Sequence, residues 1–205
     1  MQVFLDDQPL TVEPKTVARA IDVARSVAEG QGRFVIDVVG DGAPVRDELL
    51  EAPPEDDAGI GELRMRTADP TTMIPVTLHD VAEALEQTRA QQAEAASCFQ
   101  RGESTEGGRQ LSQALDTWQM ARDIVAKAGA LSGVDPASVT VSHDGADLTG
   151  AECIESLRSL LDQLKSAVRS DAASEIADLL AIDFEQEVGR WQAFAHAFAR
   201  RVATG

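Results

Sequence analysis

The chain has 205 residues, 43% hydrophobic and 26% charged, with 35 acidic against 18 basic side chains and a formal net charge of −17 at pH 7. This is the composition of a folded chain of one or two domains and too apolar for a disordered one. Residues 1–70 carry 15 acids against 7 bases and residues 71–205 carry 20 against 11, so the whole surface repels phosphate backbones and anionic lipid; nucleic acid and membrane are set aside as partners, and a basic protein suits it better.

In chain order, Gln2 to Leu5 and Thr11 to Glu13 flank the polar Asp6-Asp7-Gln8-Pro9 and predict a strand, a turn and a second short strand. From Thr16 to Glu29, Val17, Ala20, Ile21, Ala24, Val27 and Ala28 recur at three and four residues, and Gly30 follows, which predicts an amphipathic helix with its stop. Arg33 to Val39 is rich in β-branched residues and runs into Gly40-Asp41-Gly42, a strand ending in a tight turn. The acidic, proline-rich stretch Glu51 to Gly59 reads as a loop before a last alternating strand, Glu62 to Thr67.

The resulting order β-β-α-β-β, together with the pieces VFLDDQPL and VVGDGAPV, resembles the ubiquitin-like β-grasp fold. The resemblance implies a helix packed across a mixed sheet. The sulfur-carrier branch of that fold ends in a free Gly-Gly, whereas this chain ends Ala203-Thr204-Gly205 and its Gly107-Gly108 is internal, so a carrier role is not expected.

Asp69 to Pro75 holds two prolines and reads as a linker. Beyond it, Thr77 and Asp80 form an N-cap pair for a helix carrying Leu78, Val81, Leu85, Thr88, Gln92, Ala96 and Phe99 on one face, with Gly102 as its stop. Ser104 or Thr105 caps a second helix with Leu111, Leu115, Trp118, Ala121, Val125 and Ala128, ended by Gly133 and Pro136. Residues 138–148 break the helical period and form an irregular excursion or short ribbon. Thr149 and Glu152 make a capping box for a third helix, whose core seam is read as Ile154, Leu157, Leu161, Leu164 and Val168. Asp171 caps the last helix, with Ile176, Leu180, Phe184, Val188, Trp191, Phe198 and Val202 as its apolar positions.

Four striped helices must each bury a face, so the expected fold class is α+β: a small β-grasp domain over residues 1–70 and an antiparallel four-helix bundle over residues 76–205. No apolar run approaches the roughly 20 residues of a membrane helix, and the acids of MQVFLDDQPL are foreign to a signal peptide. With Cys98 and Cys153 far apart, these features predict a cytoplasmic protein with reduced, buried thiols.

Chemistry is sparse. Val76, Thr140 and Ala193 precede His79, His143 and His196 by three residues, so the Glu-x-x-His pattern of bundle metal sites is missing, and neither cysteine has a CxxC companion. Asp135, His143, Asp144 and Asp147 lack the ligand alternation of a calcium loop and read as turn residues. No GxSxG, GxxxxGK[ST] or GxGxxG occurs. No cofactor, metal or catalytic residue is therefore assigned. The last helix combines acids with aromatics, and Asp178, Asp183, Glu187, Trp191, Phe194 and Phe198 are the candidate partner-binding set. A bundle of this size needs most of those aromatics for its core; one left exposed beside the carboxylates would suit a basic amphipathic helix.

An acidic β-grasp-like N-terminus joined to a bundle containing LLAIDFEQEVGRWQ resembles acidic bacterial proteins of the same two-domain design. The bundle also resembles flagellar secretion chaperones, small acidic helical proteins that bind the helical ends of their clients without catalytic residues. It departs from them in the N-terminal domain and in the break at 138–148. The resemblance implies a non-catalytic adaptor or chaperone-like protein that binds a basic or helical client, and it leaves homo-oligomerisation open. The alternative is an enzyme whose site is assembled from dispersed polar residues.

Overall fold

A computed structural model describes residues 1–45, 49–50, 52–56 and 58–204. Glu51 and Asp57 of the predicted acidic loop, and the terminal Gly205, lie outside the described residues. The chain is α+β and divides into two compact units, Met1–Met73 and Ile74–Gly205.

The first unit holds β1 (Gln2–Leu5), β2 (Gln8–Pro9), α1 (Val17–Gly30), β3 (Phe34–Gly40), β4 (Ala43–Pro44) and β5 (Glu62–Ala68). They form one sheet in the order β2-β1-β5-β3-β4, with β1 and β5 parallel and the other pairs antiparallel. The second strand falls at Gln8–Pro9, not at Thr11–Glu13, because Asp6 and Asp7 both take positive φ (48° and 62°) and close a two-residue hairpin turn. Leu63, Met65 and Thr67 of β5 alternate inward, and Val17, Ala20, Ile21 and Ala24 of α1 cover them together with Val3, Leu5 and Val38. Val27, expected on the buried face of α1, stays at its exposed edge. Thr16 caps α1 by accepting from the Arg19 N–H.

Buried Thr67 ties the sheet to the first turn. Its N–H donates to Asp6 Oδ1 at 2.8 Å, its hydroxyl donates to Asp6 Oδ2 at 2.5 Å, and Arg33 Nε reaches the same hydroxyl at 2.6 Å. These bonds, with the Arg33 charge, hold the Asp6 carboxyl below the usual carboxylate range. The unfolded chain therefore takes up this proton at higher pH than the folded one, so the stabilisation is present above about pH 4 and lost as pH falls through the lower folded value. Asp6→Asn is expected to cost the first unit about 1 kcal/mol at pH 7, the charged hydrogen bonds being partly screened by solvent, and to flatten its stability between pH 5 and pH 2 relative to wild type. Amide exchange at Leu63 and Met65 reads this unit by itself; equal acid sensitivity in both proteins would contradict the assignment.

The second unit is built from α2 (Pro70–Gln100), α3 (Ser104–Ser132), a 3-10 turn (Pro136–Ser138), the hairpin β6 (Thr140–His143) and β7 (Ala146–Thr149), α4 (Gly150–Arg169), α5 (Ala173–Asp178), a π-helical turn (Leu179–Asp183) and α6 (Phe184–Thr204). Asp69 to Pro75 contains the division between the two units, at Met73/Ile74, but from Pro70 on it is helical and not the irregular segment its prolines suggest. Asp69 accepts from the Thr71 N–H at 2.8 Å and Pro70 takes the first helical position, where its missing N–H costs nothing, so the helix starts there and runs through Pro75. Thr77 and Asp80 consequently lie inside α2 and not at its start.

All seven expected positions of α2, from Leu78 to Phe99, are buried. The helix ends at Gly102 (φ 76°), with Glu103 N–H donating to Cys98 O and Gly102 N–H to Phe99 O. This turn is so tight that Glu103 is already the N-cap of α3, without a side-chain bond, in place of Ser104 or Thr105. Gly107 then lies under the Phe99 ring, whose carbons would be 3.1 Å from an added Cβ. Residues 138–148 form the predicted ribbon, turning on Asp144 and Gly145 at positive φ.

The capping box of α4 is present in both directions, Thr149 accepting from Glu152 N–H and Glu152 from Thr149 N–H. The buried face of α4 is rotated from the expected seam: Gly150, Cys153, Leu157, Leu160, Leu164 and Ala167 face the core. Leu161 is half-buried, while Ile154 and Val168 stay 38% and 49% exposed. Small residues at 150, 153 and 167 let the helix approach its neighbours closely, and this close approach decides its rotation. Asp171 does not cap the last helix. It takes φ 51° as the left-handed residue that ends α4, with Ala172 N–H donating to Ala167 O and Asp171 N–H to Val168 O, and Ala172 becomes the next N-cap. The expected positions from Ile176 to Val202 on the last helical stretch are all buried. Among the described residues, no helix is long and apolar enough to cross a membrane.

Candidate functional site

The six residues of the candidate set divide between core and surface. Trp191, Phe194 and Phe198 are buried and join Trp118 and Phe184 in an aromatic ladder: Trp118 meets Trp191 edge to face at 5.8 Å, Trp191 meets Phe194 at 5.5 Å, and Phe194 stacks on Phe198 at 6.3 Å. Glu187, Trp191, Phe194 and Phe198 follow one another at four, three and four residues, so they share one helical face, and that face points inward. Only Asp178 and Asp183 are exposed. No aromatic is left beside them, so the six do not make a common docking face.

Glu187 is 2% exposed. Its Oε2 accepts from Ser156 Oγ at 2.9 Å and from Arg190 Nη1 at 2.5 Å, while Oε1 has no hydrogen-bond partner among the described residues. Burial pushes its carboxyl above the usual range despite the pull of Ser156 and Arg190. Both thiols are buried, and both are pushed up by desolvation, Cys153 to about 11. Neither is a ready thiolate nucleophile at neutral pH.

A cleft of about 640 Å³ in the helical unit opens over Trp191, the middle rung of the ladder. Val125, Ala126, Gly129 and Ala130 of α3 form one wall, Val134 and Pro136 the next, and Ile154 of α4 the third. Gly133 (φ 69°) ends α3 and turns the chain back, and Gly129 admits the Pro136 ring, whose Cγ would be 2.6 Å from an added Cβ. Trp191 Nε1 donates to Cys153 O at 3.2 Å, which fixes the indole at the floor. Arg122, Asp123 and Asp135 stand at the rim. Asp135 is also the cap of the 3-10 turn, accepting from Ala137 N–H at 3.0 Å. Along α4, Ile154, Leu161 and Val168 recur at seven residues and extend this apolar surface away from the cleft. The residues four beyond the first two are Arg158 and Lys165, which border the strip.

A second cavity, of about 420 Å³, is lined by Arg89, His143, Asp144, Glu185, Gly189 and Arg190 among others. His143 Cε1 would be 3.2 Å from a Cβ at Gly189. Arg89 is held there by Glu86 and Glu185. Asp147 accepts from Ser142 Oγ, and Asp135 and Asp144 serve their turns, as expected of loop residues. Among the described residues no group of three or more His, Cys, Asp or Glu side chains converges on a metal-sized site.

No protein family, curated protein or solved structure matches the chain. The geometry of its sites is therefore what a functional reading stands on.

Proposed function

We propose that this chain is a non-catalytic binding protein of adaptor or secretion-chaperone type, whose helical unit takes an amphipathic helix of a client protein. One observation carries the reading: an apolar strip begins in the Trp191-floored cleft and continues along Ile154, Leu161 and Val168 on the surface of α4. Fourteen residues of helix span about 21 Å, the length over which a client helix presents anchors at i, i+7 and i+14. The cleft takes its largest anchor. Asp123 and Asp135 at the rim favour a basic residue beside that anchor, in keeping with the acidity of the whole chain.

The same reading takes the second unit as an antiparallel four-helix bundle and the first as a β-grasp. The β2-β1-β5-β3-β4 order with its parallel β1–β5 pair and the covering helix α1 supports the latter. The proposed setting is the cytoplasm. Carrying charge into the strip by Ile154→Asp with Val168→Asp is expected to leave thermal unfolding within a few degrees of wild type and to abolish retention of a specific client in affinity capture from the source cells. Identical capture profiles from the two proteins would overturn the proposal.

The second reading, an enzyme, is favoured by the convergence of Arg89, His143 and Arg190 on the smaller cavity. A substrate-like metabolite that protects the His143 ring from chemical modification in the wild-type protein would support it over the first.

A further inference from the structure

The α2 and α6 helices lie side by side in antiparallel register. Arg89 pairs with Glu185, Gln192 Nε2 donates to Ala82 O at 3.0 Å and to Glu86 Oε2 at 3.1 Å, and one helical turn further along His79 meets His196. The two Nδ1 atoms are 2.9 Å apart, with ring centroids at 4.9 Å, although 117 residues separate the histidines in sequence. Leu78 on one side and Ala195 and Ala197 on the other are buried, so the backbones that carry both rings are anchored in the core while the rings themselves sit at its solvent edge.

In two neutral imidazoles that face each other through Nδ1, either one Nδ1–H donates to the lone pair of the other, or both protons sit on Nε2 and both Nδ1 atoms present lone pairs to a cation. We propose that His79 and His196 form a two-histidine site for a borderline divalent transition cation, of which Zn²⁺, Ni²⁺ and Cu²⁺ are the class, with both Nδ1 atoms as ligands. At metal–nitrogen distances of about 2.0–2.1 Å, tetrahedral coordination places two ligand nitrogens about 3.3 Å apart, so the observed pair needs to open by only roughly 0.4 Å. The ladder of contacts from Arg89 to Ala82 holds the helices in this register before any ion arrives, which removes most of the ordering cost of bringing distant ligands together. Nitrogen donors select this class over Ca²⁺ and Mg²⁺, which require oxygen ligands. No third His, Cys, Asp or Glu completes the set among the described residues, so the remaining positions fall to water or to a ligand from outside the chain. Asp80 and Glu83 follow His79 by one and four residues and Arg200 follows His196 by four; their charges sum to −1, opposite in sign to the bound ion.

Titration of the chelator-treated full-length protein with ZnCl₂, followed by calorimetry, is expected to show one saturable site per chain. His79→Ala and His196→Ala should each weaken it at least tenfold, and His143→Ala should leave it unchanged. Nitrogen-15 spectra of the wild-type histidine rings provide a reading that does not depend on the variants folding: two of three Nδ1 resonances should move with zinc, those of His79 and His196. Absence of saturable binding, equal affinity in the wild type and both variants, or movement of His143 alone would overturn the site.

Discussion

Replacing Leu157 by alanine is expected to destabilise the helical unit by about 2–5 kcal/mol, while Ile154→Ala, three residues earlier on the same helix, should change it by less than about 1 kcal/mol. Leu157 is fully buried in the main core of the unit, so truncation removes both transfer energy and contacts and leaves a cavity that anchored neighbours cannot fill. Ile154 keeps 38% of its surface in solvent on the wall of the cleft, and most of what alanine removes there was never fully buried. Urea denaturation of the two variants beside wild type measures both numbers at once. The contrast also tests function: Ile154→Ala should lower client capture with the fold intact, whereas a loss of stability as large as that of Leu157→Ala would return Ile154 to the core and remove the strip from the binding surface.

Gly150→Ala should be similarly damaging, for the opposite reason. Gly150 is the first residue of α4, where alanine by propensity alone would gain up to about 1 kcal/mol. An added Cβ, however, would stand 2.0 Å from Pro136 O and 2.8 Å from the Phe194 ring. A carbonyl of a proline-stiffened turn cannot rotate aside as a side chain can, and overpacking of this kind costs about 1–3 kcal/mol or more. The steric term wins, and a net loss near 2 kcal/mol is expected. Gly108→Ala is the matched control. It too is helical, nothing lies within 4 Å of its Cβ position, and it should gain about 0.5–1 kcal/mol. Equal stability of the Gly150→Ala variant and wild type by chemical denaturation would contradict the close packing of the 3-10 turn on α4.

Much of the local structure could be read from neighbouring residues, because its causes act over a few positions. The Thr149–Glu152 box, the glycine stops at 102 and 133 and the Asp144-Gly145 turn each need only a short side chain or a positive φ at the right offset. The stripes of α2 and of the last helical stretch bury as their three-and-four spacing requires. Where two local signals competed, the reading failed. Pro70 and Pro75 suggested a linker, yet Asp69 and Pro70 are also a cap and a first helical residue, and the second meaning prevailed. Asp171 had the composition of an N-cap but ends the preceding helix instead.

For the sites, the sequence by itself determined that Glu187, Trp191, Phe194 and Phe198 share one face of a helix, since 3.6-residue periodicity leaves no alternative. Only the tertiary structure decided that this face is core, because burying Glu187 depends on Ser156 from another helix and on Arg190 to satisfy it. The rotation of α4 is of the same kind. Leu160 and Leu161 are adjacent on an apolar arc that permits either, and the choice came from how closely Gly150, Cys153 and Ala167 let that helix approach its neighbours. The meeting of His79 with His196 depends on the register of two packed helices across 117 residues. Periodicity fixes which residues share a helix face, but which face is buried, and against what, is set by shape complementarity between surfaces distant in sequence.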